Sequence, residues 1–301
     1  MKNILFHTNA YSYLAQKLLA EGNYEEGQLE LSHFADGERY QRIITKVEDR
    51  KVIVVGGTID DSSTLELYDL CSTLVKLGAS SLSIVIPYFG YSTMERAVKE
   101  GEVVTAKTRA RLFSSIPRST KGNRVYLFDL HTEGLPHYFE GHLRAVHVYC
   151  KDIIMKAVKD YGGSNCILAS TDAGRAKWVE SLANDLGLQA AFALKRRLSG
   201  TKTEITAINA DVKNKTVIIY DDMIRSGSSL INAAKAYNQA GAKEIFVITT
   251  HGVFVNGSIE KLKSSGVIKK IICTDTHANT QTINDEFVEV RSIAGLIKSI
   301  L

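Results

Sequence analysis

Short runs of aliphatic and β-branched residues alternate along this chain with segments whose apolar positions recur every three or four residues. "KNILFH" (2–7) precedes "SYLAQKLLAEG" (12–22), and "KVIVVG" (51–56) precedes "STLELYDLCSTLVKLG" (63–78), which leads into "LSIVIPYFG" (82–90). The second half repeats the habit. "NCILAST" (165–171) precedes "RAKWVESLANDLG" (175–187), and "TVIIYDD" (216–222) precedes "SLINAAKAYNQAG" (229–241) and then "EIFVITTHG" (244–252). The apolar runs do not alternate with polar residues, so they predict strands buried on both faces, and the three- and four-residue spacings predict amphipathic helices between them. The combination is that of an α/β protein with parallel sheets covered by helices.

The pattern also repeats at long range. Laying the segment from Val52 over the segment from Val217 matches strand, loop, helix and strand, with Thr64 falling on Ser229. Two similar α/β domains in tandem follow from this. The two copies differ at the strand end, where the first has Gly56-Gly57 and the second Asp221-Asp222. The chemistry is therefore expected in the second copy.

Composition narrows the class. The chain has 301 residues, 45% of them hydrophobic and 23% charged, which is enough for two domains with real cores. No apolar run is long enough to cross a bilayer and the first residues lack the apolar stretch of a secretory signal, so a cytoplasmic protein with no membrane partner is expected. The four cysteines are widely spaced in apolar surroundings and read as buried thiols. A net charge of +4 is spread without a basic stripe, which argues against a nucleic-acid partner and leaves phosphorylated small molecules as the better match.

Ligands of an open parallel sheet bind beyond the carboxyl ends of its strands. Asp221 and Asp222 are expected there, followed by "RSGSS" (225–229), whose N–H groups, hydroxyls and adjoining helix start favour an anion. Acids beside a phosphate cradle need hydroxyl donors or a divalent cation. A sugar phosphate supplies both a phosphate and a vicinal diol. Other strand ends offer His131, Asp172, His251, Asp275 and His277, a set whose convergence would suit a metal-nucleotide site. The cationic stretch "ALKRRLSGTKTEIT" (193–206) reads as a mobile loop able to close over a transferring phosphoryl group.

At this point the chain resembles the ribose-phosphate diphosphokinases, or phosphoribosyl pyrophosphate synthetases. "FADGERY", "IPYFGYSTMER", "GEVVTAKTRARLFSSIP", "FDLHTEG", "STDAGRAKW", "LKRR", "YDDMIRSGSSL", "THGVF" and "CTDTHAN" occur in the family's order across nearly the whole length. The resemblance implies two tandem domains of the type I phosphoribosyltransferase fold, residues 1–147 with 285–301 returning to them, and residues 148–284. It implies transfer of a diphosphoryl group from Mg-ATP to the anomeric hydroxyl of ribose 5-phosphate, with Mg²⁺ as cofactor and a homo-oligomer as the working form.

Carried over by position, Asp221 and Asp222 would hold the ribose hydroxyls, and Arg225, Ser226, Gly227, Ser228 and Ser229 the 5-phosphate. His131 and Asp172 would serve the metal, and His131, Phe34, Asp36 and Glu38 the nucleotide. Lys195 and Arg197 would be catalytic. Thr93 and Met94 stand where better-known members have an arginine and a glutamine, Arg225 where they have an acid, and Ser228 where they have glycine. Those departures look like the class II branch, with its looser choice of nucleoside triphosphate, whereas "LKRR" looks like class I. A single-domain phosphoribosyltransferase and a non-catalytic relative of the synthetase are the competing readings.

Overall fold

The strands form where the sequence stacks β-branched and aliphatic residues, because only a position covered on both faces can hide such a run. A computed structural model describes the backbone of residues 2–20, 22–171, 173–197 and 203–301, and the side chains of all of these except 173 and 194–207. The described chain divides into two units, residues 1–149 with 294–301, and residues 150–293.

In the first unit, β1 (Asn3–His7), β2 (Tyr24–Glu26), β5 (Lys51–Val55), β6 (Ser81–Ile86), β7 (Asn123–Phe128) and β8 (Leu143–Val148) form one parallel sheet in the order β2-β1-β5-β6-β7-β8. Between β2 and β5 an antiparallel hairpin, β3 (Leu29–His33) and β4 (Arg39–Ile43), stands apart as its own two-stranded sheet. Helices α1 (Ser12–Ala20), α2 (Asp61–Lys76) and α3 (Thr105–Ser114) pack on the large sheet, and α2 buries Leu67, Leu70, Cys71 and Leu74 against Val52, Val54, Ile84 and Ile86. The Asp60 side chain starts α2 by accepting the Ser63 N–H at 2.7 Å, which satisfies one of the N–H groups a helix leaves open at its first turn.

The second unit repeats the plan. Strands β9 (Cys166–Ser170), β10 (Gln189–Arg197), β11 (Thr203–Ile208), β12 (Thr216–Ile224), β13 (Glu244–Gly252), β14 (Lys270–Thr274) and β15 (Val288–Arg291) run in the order β11-β10-β9-β12-β13-β14-β15. All neighbours are parallel except β10 and β11. Helices α4 (Lys151–Gly162), α5 (Ala176–Leu186), α6 (Ser228–Gln239) and α7 (Ser258–Ser264) flank it, and α6 sinks Leu230, Ala233, Ala234 and Tyr237 into the core. Each sheet grows outward from its first strand, then returns to that strand's other side. The reversal lies between β1 and β5 in one unit and between β9 and β12 in the other.

Two expectations shift. Residues 285–293 do not return to the first unit, because β15 adds a parallel edge strand to the second sheet through pairs such as Cys273 with Val290. Only α8 (Ala294–Ile300) returns, packing on α1. The stretch read as a mobile loop over 193–206 is largely strand, since β10 pairs antiparallel with β11 around a bulge between Leu194 and Lys195. Its tip, 198–202, lies outside the described residues. The four cysteines are buried thiols outside any disulfide, as expected, and burial pushes the Cys166 thiol up to about 11. No described helix is long and apolar enough to cross a membrane.

One glycine of the first unit is fixed by close approach. The Gly90 N–H donates to Thr58 Oγ1 at 2.7 Å, and a Cβ at 90 would stand 1.9 Å from the Thr58 carbonyl oxygen. Since Thr58 is wholly buried, that backbone has nowhere to move. Gly90→Ala is expected to destabilise the protein by roughly 2 kcal/mol or more in urea unfolding, and a change under about 0.5 kcal/mol would contradict this packing.

Candidate active site at the reversal of the second sheet

The carboxylate pair owes its place to strands of unequal length. β12 pairs with β9 as far as Tyr220 and Ser170, where β9 stops, while on its other side β12 continues along β13 through Asp221, Met223 and Ile224. Asp221 and Asp222 thus lie inside a strand, two residues short of its end, facing the gap that β9 vacates. The expectation that they follow the strand needs that adjustment. Below them, Trp178 of α5 stacks on Tyr220 with ring centroids 4.2 Å apart, and the Tyr237 hydroxyl of α6 donates to the Ser170 carbonyl at 3.0 Å. These contacts fix the floor of the gap.

Thr171, the first residue beyond β9, donates its hydroxyl to Asp221 Oδ2 at 3.1 Å, and the Asp222 N–H donates to Asp221 Oδ1 at 3.0 Å. Asp222, 3% exposed, forms an ion pair with the Arg175 guanidinium. Burial, with the neighbouring Asp222 charge adding to it, holds the Asp221 carboxyl far above the usual carboxylate range, and Thr171 and Arg175 offset this only in part. The pair therefore gains from further positive charge or donors. Hydroxyl groups or a cation brought by a ligand would supply them.

Next to the acids the chain turns through Arg225, Ser226 and Gly227 into α6. Gly227 has φ +71°, and a Cβ there would lie 2.7 Å from the Leu262 side chain, so both conformation and space require glycine. The first helical bond runs from the Ile231 N–H to the Gly227 carbonyl, which leaves the N–H groups of Ser228, Ser229 and Leu230 ahead of it. Arg225, Ser226, Ser228 and Ser229 are exposed, and Lys261 of α7 donates to Ser228 Oγ at 2.7 Å. N–H groups, hydroxyls and two cations at one turn make an anion cradle. Arg175, Thr171 and Lys261 were not singled out by sequence reasoning. Arg175 sits in the quoted "STDAGRAKW", but Lys261 comes from a different helix and carries no local signal.

The histidines and acid of the neighbouring strand ends do not join this site. The Thr276 hydroxyl donates to the Thr250 carbonyl at 3.0 Å, so its oxygen accepts from His251 Nδ1 at 2.8 Å. Asp275 is wholly buried and accepts the Ile293 N–H at 2.7 Å, fastening the exit from β15. His277, 5% exposed, accepts the Asn279 N–H at its Nδ1. All three are structural, which corrects the convergence expected from their spacing.

The remaining candidates belong to the first unit, to β10, or to residues that are not described. Phe34, Asp36 and Glu38 share the tip of the β3–β4 hairpin, where the Phe34 N–H donates to the Glu38 carbonyl at 2.8 Å and the Glu38 N–H to Asp36 Oδ1 at 3.1 Å. Phe34 is 57% exposed and meets Tyr40 edge-on at 6.0 Å. Thr93 and Met94 belong to a turn closed by the Met94 N–H on the Tyr91 carbonyl at 2.7 Å. His131 follows β7 by three residues. Lys195 and Arg197 lie in β10, paired with Ile205 and Thr203, and Asp172 lies outside the described residues.

Among the described residues no three His, Cys, Asp or Glu side chains gather closely enough to cage a metal. Mg²⁺ does not require such a cage, since it keeps water and binds through one or two protein groups plus substrate phosphates. The Asp221–Asp222 pair beside an anion cradle suits that kind of ion.

Comparison with known proteins covers most of the chain. Residues 3–116 match the family model described as the N-terminal domain of ribose phosphate pyrophosphokinase, and residues 164–298 match the phosphoribosyl synthetase-associated domain. A ribose-phosphate pyrophosphokinase of Fusobacterium nucleatum is 31% identical over 96% of this chain and 90% of its own. One of Pyrococcus furiosus is 34% identical over 82% of this chain and 85% of its own. The crystal structure of phosphoribosylpyrophosphate synthetase from Mycobacterium smegmatis superposes with a TM-score of 0.87 at 24% identity, covering 99% of this chain and 97% of that one. That likeness concerns the fold, a duplicated phosphoribosyltransferase-like architecture.

The buried imidazole gives a pH test of this part of the fold. Burial, with His251 nearby, lowers the His277 pKa from 6.5 to about 4. An unfolded chain therefore takes up a proton between those values that the folded chain refuses, and stability falls as pH falls through that window. Between pH 7 and 4.5 the loss from this group is roughly 2–3 kcal/mol. Urea midpoints of His277→Gln should depend less on pH by that amount. Equal pH dependence in the two proteins would overturn the assignment.

Proposed function

The chain belongs to the ribose-phosphate pyrophosphokinase family, and from that premise we propose that it transfers a diphosphoryl group from ATP to ribose 5-phosphate, giving phosphoribosyl pyrophosphate and AMP. The observation that carries the reading is the juxtaposition of the Asp221–Asp222 pair with the Gly227 turn at the reversal of the second sheet. A diol and a phosphate on one small sugar answer the two halves of that site.

In this reading the 5-phosphate lies on the N–H groups and hydroxyls of Ser226, Ser228 and Ser229, with Arg225 and Lys261 balancing its charge. The ribose hydroxyls donate to Asp221 and Asp222, and Arg175 pairs with Asp222 and orients it. That clamp fixes the anomeric oxygen. The oxygen bonds to the β-phosphorus of ATP as the bond from that phosphorus to the α-phosphate oxygen breaks, AMP leaves with that oxygen, and the hydroxyl proton passes to solvent. Mg²⁺, when bound, draws charge from the phosphoryl oxygens. His131 and Asp172 would hold it, Lys195 and Arg197 would neutralise the charge that develops in transfer, and Phe34 would cover the base with Asp36 and Glu38 beside it. Thr93 and Met94 present less charge to the base than an arginine and a glutamine, which fits a donor site open to nucleoside triphosphates other than ATP. The exposed Phe34 and Leu31 of the hairpin give apolar surface for a homo-oligomer.

The test is incubation with Mg²⁺, ribose 5-phosphate and each nucleoside triphosphate, with the nucleoside monophosphate and phosphoribosyl pyrophosphate measured together. No product with any donor would remove the reading. In the same assay Asp222→Asn is expected to raise the KM for ribose 5-phosphate about tenfold or more, as loss of a charged hydrogen-bond partner does. An unchanged KM would defeat the diol contact.

A further inference from the structure

The turn that carries His131 is held to the neighbouring strand of the first unit by side chains as well as backbone. The ladder between β7 and β8 outlasts β7 by one residue, with the Asp129 N–H donating to the Val148 carbonyl at 3.0 Å. There the chain bends. Asp129 is 5% exposed and has φ +33°, a left-handed conformation that a residue with a side chain keeps only where its surroundings impose it. The bend returns Leu130 to the apolar cluster of Phe113, Leu127 and Leu135, and its N–H finds a side chain instead of a strand carbonyl: His147 Nε2 accepts it at 3.0 Å. A ring nitrogen that accepts carries no proton, so the hydrogen of this imidazole sits on Nδ1.

Packing alone does not call for a histidine here. On the same face of β8, Leu143 and Ala145 are apolar and join the cluster. Tyr149 stacks on the His147 ring with centroids 4.1 Å apart, and its hydroxyl hydrogen-bonds the Glu133 side chain. The turn is thus tied to the end of β8 at Asp129, Leu130 and Glu133, with His131 between the last two. The corresponding place in the second unit is built without the imidazole. There the Asp275 N–H donates to the Arg291 carbonyl at 2.9 Å, as Asp129 does to Val148, and Val290 stands opposite Cys273 where His147 stands opposite Leu127. Asp275 is not left-handed, and His277, the counterpart of His131, serves only its own fold. The imidazole acceptor and the left-handed bend therefore occur together, in the copy whose histidine is left for a ligand.

We propose that His147 is a positioning residue for His131: by accepting the Leu130 N–H it locks the bend that decides where the His131 imidazole stands, and with it the binding of the magnesium–nucleotide. This rests on the reading of His131 as part of the nucleotide site. His147 touches neither nucleotide nor sugar in this scheme. It acts through the backbone of Leu130.

Calorimetric titration of the full chain with Mg²⁺ and α,β-methylene-ATP, whose α–β bridge cannot be cleaved, tests the proposal without turnover. His147→Leu removes the acceptor and should raise the Kd for the analogue about tenfold or more, while the Kd for ribose 5-phosphate stays unchanged. In His147→Gln the Oε1 reaches about as far as Nε2, and the Kd should stay within about threefold of the unaltered chain. In a His131→Ala background His147→Leu should weaken binding no further, since both changes then act on one contact. Exchange of the Leu130 amide should quicken in His147→Leu and not in His147→Gln. Equal affinity in His147→Leu, an equal loss for ribose 5-phosphate, or a loss that persists in His131→Ala overturns the proposal. Should His147→Leu fail to fold, His147→Gln decides alone, because a tenfold loss there contradicts the acceptor role and retained affinity with a slow Leu130 amide supports it. An unaltered chain that binds no analogue would remove the diphosphokinase reading and this inference with it, whereas the other adverse outcomes leave that reading intact.

Discussion

Two adjacent carboxylates buried in a strand are an unfavourable arrangement, and the second unit is organised around tolerating it. Desolvation and mutual repulsion both oppose ionisation at Asp221. The remedy within the protein is partial, and it draws on a hydroxyl from Thr171, a guanidinium from Arg175 and the Asp222 N–H. Each of these comes from the segment where β9 ends or from β12 itself. Had β9 run as far as β13 does, its backbone would fill the gap and leave the acids no opening. The early stop of β9, pinned by the Tyr237 hydroxyl on the Ser170 carbonyl, is thus a condition for the site.

The same architecture in the first unit holds no acid pair at the equivalent strand. Gly56 and Gly57 occupy it, and a Cβ at either position would stand under 3 Å from a side chain, Thr8 and Leu67 at the first and Tyr11 at the second. Packing has closed that position. Duplication supplied two sheet reversals, and the identity of a few residues decided that only the second carries the acid pair beside a serine-bearing turn.

Much of this was legible in the sequence because it depends on local pattern. Buried parallel strands announce themselves by unbroken runs such as "VIIY", and the glycine of "RSGSS" marks the turn that needs it. What escaped notice depends on register between distant segments. Nothing in "ITTHG" or "CTDTHAN" says that His251 meets Thr276, since that bond depends on the ends of β13 and β14 lying side by side, although the His277 cap on the Asn279 N–H is local. Lys261 reaches Ser228 only because Leu262, one residue on, fills the space above Gly227. The reading of 193–206 as loop failed for the opposite reason: its cations look like surface punctuation, yet Lys195, Arg196 and Arg197 lie in β10, where an edge hairpin tolerates charged residues.

The Gly227 turn shows how tightly the anion cradle is bound to the core. Its left-handed backbone is what aims the first N–H groups of α6 outward, and its missing side chain is what lets Leu262 of α7 lie directly against it. Leu262 is wholly buried in the same apolar cluster as Leu230 and Ile231. A shift of α7 would therefore move Lys261 and loosen the support of the turn together. Cradle geometry and core packing are one constraint here. Ser228 fits that logic: a hydroxymethyl at the first helical position points away from the core, is exposed, and gives Lys261 an oxygen on which to rest. A glycine there would free the ammonium group and add backbone entropy to the cradle. The serine instead holds a cation ready beside the N–H groups before any anion arrives.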